Sequence, residues 1–235
     1  MAIVITVVAT LLFTDLDRYA KTVALILRVT PYEQAGTGAG EILILGDSTG
    51  YGTGAKMAGQ SVAGRLGAAY PGYRLSNNSV NSRQIAGARE AASNLSDTYD
   101  LLLLQIGAND LLAERPVEEV VADMQQLIED VLPHAEQVVI MTAGNIGALP
   151  RYSGETASYH TERSRAYTAA MVELTTSYQE VAYVPLFDEP DEDPFVSEPD
   201  RYIAADGLHP SSAGYELWYQ KALPYLRQAL GAPAE

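Results

Sequence analysis

The stretch ILILGDSTGYGTGA, residues 42–55, runs from four aliphatic residues straight into a turn that carries an acid and a hydroxyl. A continuous aliphatic run of this length is typical of a strand that is covered on both faces, as the strands of parallel sheets are. Four glycines between positions 46 and 54 indicate a loop that turns sharply behind the strand. The stretch therefore predicts that Asp47 and Ser48 lie at the carboxyl end of a buried parallel strand.

Short apolar runs alternate with longer helical patterns along the rest of the chain. The clearest helix is predicted over residues 116–132, where seven apolar residues form one stripe and Pro116 stands in the first turn. Strand alternating with helix predicts a three-layer α/β/α sandwich around a central parallel sheet of roughly five strands, a flavodoxin-like architecture. The predicted strands are Glu41–Leu45, Tyr73–Asn77, Leu101–Ile106, Gln137–Met141 and Val181–Pro185, and the other predicted helices cover 56–69, 83–95, 161–179 and 211–229, the last bent or broken at Pro224.

Size and charge narrow the classes of function. A chain of 235 residues with 47% hydrophobic residues can bury one large core, and this length predicts one main domain. Thirty acidic residues against 15 Lys and Arg give a formal net charge of −15, which repels phosphate backbones, so nucleic acid is not expected as a partner. The chain has no cysteine, which excludes disulfides, thiolate metal sites and a cysteine nucleophile. Serine, histidine and carboxylate chemistry remains.

The first 34 residues differ from the rest and are predicted to form an N-terminal helical segment apart from a main domain over residues 35–235. Residues 2–13 are apolar, but as a helix they cover roughly 18 Å, well short of the ~30 Å hydrocarbon core of a bilayer. A glycine-containing linker is predicted over residues 30–40. Between the apolar run and the linker, helical spacing predicts an amphipathic helix whose apolar stripe holds Leu16, Tyr19, Ala20, Val23 and Leu27.

Three interpretations of the N-terminal segment are open. It is a membrane anchor or interfacial helix, a pair of helices packed on the domain, or an altered secretory signal. A standard secretory signal fits poorly, because no basic region precedes the apolar run. The first interpretation is preferred. We therefore expect membrane association through residues 1–30, and a location in the cell envelope or at a membrane rather than in the cytoplasm.

Polar side chains follow the first three predicted strands. Ser48 follows the first strand, Ser82 lies in the loop after the second, and GAND, residues 107–110, follows the third. In parallel α/β sheets, ligands bind beyond the carboxyl ends of the strands. The three loops are therefore predicted to open on one common site.

Two known patterns fit the loop after the first strand only in part. GDSTG, residues 46–50, matches the G-x-S-x-G nucleophile elbow, but only one strand precedes it, whereas the elbow serine follows several strands. GYGTGA, residues 50–55, matches a loose dinucleotide-binding pattern, but no acid follows the second strand to hold a ribose hydroxyl. A nucleotide-binding oxidoreductase is therefore the weaker alternative.

Three motifs follow one another along the chain: GDS follows the first strand, GAND follows the third, and DGLHP, residues 206–210, stands near the C terminus. This order of motifs resembles the SGNH subgroup of the GDSL esterase and lipase family, and the resemblance covers residues 41–229. It implies a serine hydrolase that cleaves carboxylic esters of small molecules, as an esterase, lipase, thioesterase or lysophospholipase, without a metal or an organic cofactor. A catalytically weak binding protein on the same fold is the other alternative.

A serine nucleophile needs a base within hydrogen-bond reach, and the base needs an orienting partner. Of the three histidines, His134 follows one predicted helix and His160 precedes another, where surface or capping roles are expected. His209 lies in one turn with Asp206, just before the last predicted helix. We therefore expect Ser48 to be the nucleophile, His209 its base, and Asp206 the carboxylate that fixes the tautomer of the ring.

The resemblance implies three hydrogen-bond donors for the oxyanion that forms on the substrate. They are the backbone N–H of Ser48, a backbone N–H in the loop after the second strand, and the side-chain amide of Asn109. The family usually has glycine at the second position, and the best register of this chain puts Ser82 there. A register shifted by one residue makes Asn81 the donor instead.

The neighbours of these residues are expected to support the loops. Asp47 is expected to accept hydrogen bonds from nearby loop amides, Gly107 to precede Asn109 in its turn, and Asp110 to be a turn or helix-capping residue. The glycines behind Ser48 are expected to leave space for substrate. Residues 188–202 hold seven acids and three prolines and are expected to be a solvated connection, with a calcium site or a mobile lid as alternatives.

Overall fold

The computed structural model describes residues 16–232, and its centre is one parallel sheet of five strands in the order β2-β1-β3-β4-β5. Each strand begins and ends within two residues of its predicted bounds. The predicted fold class is therefore confirmed. The strands are β1 (Gly40–Gly46), β2 (Tyr73–Ser79), β3 (Tyr99–Gln105), β4 (Ala135–Met141) and β5 (Val181–Val184).

Helices cover both faces of the sheet. The side chains of β1 alternate, so Leu43 and Leu45 pack against one layer of helices and Ile42 and Ile44 against the other. The α-helices are α1 (16–26), α2 (Ser48–Tyr51), α3 (Val62–Ala69), α4 (Ile85–Ala92), α5 (Ala108–Leu112), α6 (Val117–Val131), α7 (Gly154–Thr175), α8 (Pro194–Ser197), α9 (Pro199–Tyr202) and α10 (Ser212–Leu230). Helices α4, α6 and α7 form the layer on the Leu43 side, and α3 and α10 form the layer on the Ile42 side.

Three predicted helices differ from the structure. The predicted helix 56–69 is a 3-10 turn, Ala58–Gln60, followed by α3, because the Ser61 side chain accepts from the backbone N–H of Gly64 and starts a new helix. Helix α7 begins seven residues before the predicted start at 161, in a polar first turn without an apolar stripe. Helix α10 continues through Pro224, which is exposed, so the carbonyl that loses its helical partner can bond to water.

The N-terminal segment packs on the main body through a face other than the predicted stripe. Leu25 and Val29 are buried, whereas Leu16, Tyr19 and Leu27 are more than 60% exposed. The apolar run 2–13 lies outside the described residues. Within residues 16–232, no helix is long and apolar enough to cross a membrane. Membrane association and the division at residue 34 stay predictions.

Residues of the predicted linker cover the outer edge of the sheet. Gln34 pairs with Leu75 of β2 as an isolated antiparallel bridge. Its side-chain amide donates to the carbonyls of Tyr70 and Tyr73, at 3.1 and 2.8 Å. This stretch is therefore fixed against β2 by both its backbone and its side chain.

The sheet order decides where a ligand can bind. From β1 the chain turns to β2 on one side, and β3 returns to the other side of β1 and continues to β4 and β5. At such a switch point the loops after the two central strands separate and leave a crevice between them. Ser48 follows β1 and Asn109 follows β3, so both residues flank this crevice.

Candidate active site

Ser48 is the first residue of α2, a helix of four residues that starts directly after β1. The carboxylate of Asp47 caps this helix, since its Oδ1 accepts from the backbone N–H and the hydroxyl of Thr49, both at 2.8 Å. This agrees with the role expected for Asp47. A first-turn N–H has no helical carbonyl to bond, so the N–H of Ser48 is available to a ligand in the crevice.

His209 and Asp206 lie in a tight loop between α9 and α10. The backbone N–H groups of Leu208 and His209 donate to Asp206 Oδ1, at 3.1 and 3.2 Å. The loop is closed by the backbone N–H of Ala204, which donates to the carbonyl of His209 at 2.8 Å. The carboxylate is thus fixed by its own loop, and its second oxygen faces the imidazole ring.

A continuous hydrogen-bond chain joins three of the predicted residues. His209 Nε2 lies 2.9 Å from Ser48 Oγ, and His209 Nδ1 lies 2.6 Å from Asp206 Oδ2. All three side chains are buried, with at most 9% exposure. Burial raises the pKa of Asp206, but hydrogen bonds from the His209 ring and from two backbone N–H groups outweigh it and hold that pKa below its ordinary value. The carboxylate therefore stays ionised and fixes the proton on Nδ1, which leaves Nε2 free to accept the proton of Ser48.

Asn109 lies on the wall of the same crevice. Its side-chain Nδ2 donates to the carbonyl of Arg83, at 3.0 Å, which uses one of the two amide hydrogens and orients the other. The preceding Gly107 has φ of +110°, a conformation that favours glycine. Asp110 has a capping role as expected, but for α4, since its Oδ2 accepts from the backbone N–H of Ile85 at 3.0 Å.

Ser82 and Asn81 lie in the loop after β2, one and two residues before Arg83, and neither lines the apolar cleft beside Ser48. Ser82 is exposed and has φ of +64°, in the left-handed region that glycine occupies without strain. Asn81 is held by the hydroxyl of Thr53, which donates to its side-chain oxygen at 2.7 Å. The backbone at Ser82 is therefore glycine-like although the residue is not, and the Arg83 carbonyl links this loop to Asn109.

The other two histidines lie away from this chain of hydrogen bonds. His134 is partly exposed, with Nδ1 3.2 Å from the carbonyl of Asp97. His160 is buried rather than on the surface, because α7 begins earlier than predicted and places it in the second turn, with its ring centroid 4.1 Å from that of Tyr152. Burial lowers the pKa of His160.

An apolar cleft of about 670 Å³, counted to its open mouth, begins at Ser48 and His209. Most of its wall is aliphatic or aromatic and comes from the loops after β3, β4 and β5 and from α10. A cleft of this kind takes up an apolar group and keeps water from it. Its apolar wall residues include Leu112, Ile146, Leu149, Leu186, Phe195, Ile203, Leu208 and Trp218.

The acidic segment 188–202 is part of this wall and not only a solvated connection. Asp193 is buried, caps α8 by accepting from the backbone N–H of Phe195 at 2.8 Å, and lines the cleft. Burial raises the pKa of Asp193 to about 6. Among residues 16–232, no group of three or more His, Asp or Glu side chains is arranged to hold a metal ion.

The glycines behind Ser48 do not make space for substrate. A Cβ at Gly50 would lie 2.5 Å from Ser79 Oγ, and one at Gly52 would lie 2.8 Å from the Ser61 Cβ. At Gly54, where φ is +100°, a Cβ would lie 2.3 Å from the Pro210 carbonyl oxygen and 2.9 Å from the His209 Cβ. These glycines therefore allow close packing against the protein, and Gly54 brings the loop of Ser48 against the loop of His209.

Two residues that sequence reasoning missed support the site from behind. Tyr215 of α10 is fully buried, and its hydroxyl donates to the carbonyl of Thr53 at 2.7 Å, so it ties the loop after Ser48 to the helix after His209. Thr22 of α1 donates to Asp206 Oδ2 at 3.2 Å. Tyr215 belongs to an apolar helical stripe, which does not indicate a polar contact. Thr22 is 184 residues from its partner, so the local sequence does not indicate that contact either.

Comparisons with known proteins show the family and the fold of the chain. A model of the GDSL-like lipase/acylhydrolase family matches residues 44–217. Among solved structures, a lipolytic protein of the G-D-S-L family from Veillonella parvula has a TM-score of 0.61 at 19% identity, over 78% of this chain and 96% of that one. A lipase/acylhydrolase from Enterococcus faecalis has a TM-score of 0.60 at 18% identity, over 83% and 98%. An acetylxylan esterase from Geobacillus stearothermophilus has a TM-score of 0.55 at 19% identity, over 82% and 96%. A search of curated protein sequences returned no significant match.

We predict that Gly54→Ala lowers kcat roughly a hundredfold, because the added Cβ displaces His209 from Ser48 by a distance on the ångström scale. The measurement is steady-state hydrolysis of a short p-nitrophenyl ester, together with a thermal melt that reports the folded fraction. Gly59→Ala is the matched control, since nothing lies within 4 Å of a Cβ there. Equal kcat in the two variants would contradict the contact between the loops.

We predict that Asp47 makes the stability of the protein depend on pH, because burial raises the pKa of its carboxyl from 3.8 to about 6. The folded chain then binds this proton more tightly than the unfolded chain, so the contribution to stability is present below about pH 4 and is lost as the pH rises through 6. Relative to Asp47→Asn, the wild type should lose roughly 2 kcal/mol between pH 4 and pH 6.

Urea unfolding of both proteins at pH 4, 5, 6 and 7 measures this difference. Asp97→Asn, at an exposed position, is the control and should keep the pH dependence of the wild type. A difference between wild type and Asp47→Asn that stays constant across these pH values would argue against a raised pKa.

Proposed function

The chain belongs to the family of GDSL-like lipases and acylhydrolases, and is therefore a carboxylic ester hydrolase; we propose that it works through an acyl-enzyme formed on Ser48. The observation that carries the proposal is the hydrogen-bond chain from Ser48 Oγ to His209 Nε2, 2.9 Å, and from His209 Nδ1 to Asp206 Oδ2, 2.6 Å. Nucleophile, base and orienting carboxylate are thus within the reach that serine catalysis requires.

In the first half of the reaction, His209 takes the proton of Ser48 as Oγ attacks the ester carbonyl. The carbonyl oxygen becomes an oxyanion, and Asp206 stabilises the imidazolium that forms beside it. Collapse of the tetrahedral intermediate breaks the bond to the alcohol, and His209 gives its proton to the departing alkoxide. The acyl group is left on Ser48 Oγ.

In the second half, water replaces the alcohol. His209 takes a proton from the water as its oxygen attacks the acyl carbon, and returns a proton to Ser48 Oγ as that bond breaks. The products are a carboxylic acid and the free serine. Every proton transfer in the two halves passes through His209.

The oxyanion is stabilised by donors from three loops. The first-turn N–H of Ser48 and the second amide hydrogen of Asn109 are the two whose positions beside the crevice support this role. The backbone N–H of Ser82 is the third, and the glycine-like φ of +64° at this residue supports the register that names Ser82 rather than Asn81.

The cleft supports esters with an apolar group next to the scissile bond. Its aliphatic and aromatic wall favours an apolar acyl chain over a charged group. Attack of Ser48 on a carbonyl carbon applies to thioesters as well as to oxygen esters. The alternative of a nucleotide-binding oxidoreductase has no support from the glycines after Ser48, since they pack against Ser79, Ser61 and Pro210. A binding protein without turnover has no specific observation in its favour.

We expect Ser48→Ala and His209→Ala each to lower the hydrolysis of a short p-nitrophenyl ester roughly a thousandfold or more, because the nucleophile or its base is removed. Ser48→Ala should also lose labelling by a fluorophosphonate probe. Ser177→Ala and His134→Ala, at sites away from the crevice, should keep wild-type rates and labelling. A Ser48→Ala protein with near wild-type turnover would refute the mechanism.

We expect Asn109→Ala to lower kcat roughly a hundredfold to a thousandfold with little change in KM, as the loss of one oxyanion donor does elsewhere. The test compares both constants with those of Asn94→Ala, which lies at an exposed position. A loss below about tenfold would assign Asn109 to holding the Arg83 loop alone.

A further inference from the structure

Helix α1 has two different faces. Leu16 and Tyr19 point away from the protein, as does Leu27 just after the helix, whereas Leu25 is buried. Thr22 is partly buried and lies on the side of the helix that meets the loop of Asp206. The N-terminal segment is therefore docked against the back of the active site.

The contact between Thr22 and Asp206 involves the oxygen that carries the catalytic hydrogen bond. Thr22 Oγ1 lies 3.2 Å from Asp206 Oδ2, and His209 Nδ1 lies 2.6 Å from the same atom. The other oxygen, Oδ1, is occupied by backbone N–H groups of its own loop. An ionised carboxylate only accepts hydrogen bonds, so the hydroxyl of Thr22 is the donor in this contact.

The hydroxyl has a second acceptor within reach, since Thr22 Oγ1 lies 3.1 Å from the carbonyl of Arg18 in its own helix. One proton serves both acceptors. A bond to an ionised acceptor is roughly twice as strong as a bond between neutral groups. The pKa of Asp206 is held below its ordinary value, so the carboxylate is ionised and is the preferred partner.

We propose that Thr22 is a positioning residue of the active site, which fixes Asp206 Oδ2 in the plane where it meets His209. The proposal rests on the proposed serine mechanism and adds to it an element from the N-terminal segment. Thr22 does not line the apolar cleft beside Ser48, so it acts on the carboxylate and not on the substrate. Leu25 and Val29, both buried, hold the segment in this position.

The charged and titratable groups around this carboxylate and its imidazole partner come from five parts of the chain. Four of these groups line a cleft together with Thr22 and Asp206, and Leu208 lines both this cleft and the apolar one. The wild type and a variant without the Thr22 hydroxyl share all of these groups. A difference between their pH profiles therefore reports the loss of the hydroxyl. The groups are Arg18 and Tyr19 of α1, Arg151 and Tyr152 before α7, His209 in the loop of Asp206 itself, Asp47 directly after β1, and Tyr215 of α10.

The test is Thr22→Val, which keeps the shape of the side chain and removes the hydroxyl, in the full-length protein. We expect kcat to fall about tenfold, because Asp206 Oδ2 is no longer fixed in the plane where it meets His209. KM should be unchanged, since the substrate cleft is untouched. We also expect the acidic limb of the kcat/KM profile to move to higher pH, because Oδ2 without the hydroxyl donor stabilises the imidazolium of His209 more strongly. Thr22→Ser restores the donor and should recover both the rate and the limb.

Thr30→Val, at an exposed threonine after α1, is the matched control and should behave as wild type. If Thr22→Val does not fold, Thr22→Ala against Thr22→Ser gives the same comparison. A variant without the hydroxyl that keeps the wild-type kcat and pH profile would overturn the proposal and assign the hydroxyl to Arg18. So would a Thr22→Ser protein that recovers thermal stability but not the rate. If Ser48→Ala retains activity in the same assay, the serine mechanism has failed instead.

Discussion

The hydrogen bond between Ser48 Oγ and His209 Nε2 joins two loops that are 161 residues apart, and the rest of the architecture serves to hold them at 2.9 Å. Ser48 is fixed by a buried strand on one side and by the capping carboxylate of Asp47 on the other. His209 is fixed by a loop that closes on itself and continues into α10. Because each residue is fixed by its own element, both side chains are held in the position that the hydrogen bond requires.

Two contacts behind the site keep the two loops together. Gly54 lets the backbone after Ser48 come against Pro210 and His209, and the Tyr215 hydroxyl binds the carbonyl of Thr53 from α10. The site also contains unfavourable features, namely a buried carboxylate at Asp47 with one oxygen unpartnered among the described residues and a non-glycine residue with φ of +64° at Ser82. Such features cost about 1–3 kcal/mol each and persist only where the surrounding structure enforces them. Here the enforcing structure is the sheet with a helical layer on each face.

The sequence predicts the sheet and the three motif loops well because both have local signals. Aliphatic runs mark the strands, and GDS, GAND and DGLHP each lie at the end of a strand or just before a helix. The start of α7 and the burial of His160 were not predicted, since the first two turns of that helix are polar and carry no stripe. The prediction that the glycines after Ser48 leave space for substrate is wrong. They pack against residues from other parts of the chain, which the local sequence does not show. Thr22 has no sequence signal at all, because its hydrogen-bond partner is 184 residues away along the chain.

The bridge between Gln34 and Leu75 has a consequence for how copies of this protein meet one another. A sheet edge with free N–H and C=O groups is a template on which a strand of another molecule can add, the usual route to ordered aggregates. On the β2 side the pairing with Gln34 occupies part of that template. On the opposite side β5 has four residues, too few for a long ladder. Intermolecular β-pairing is thus discouraged at both margins of the sheet.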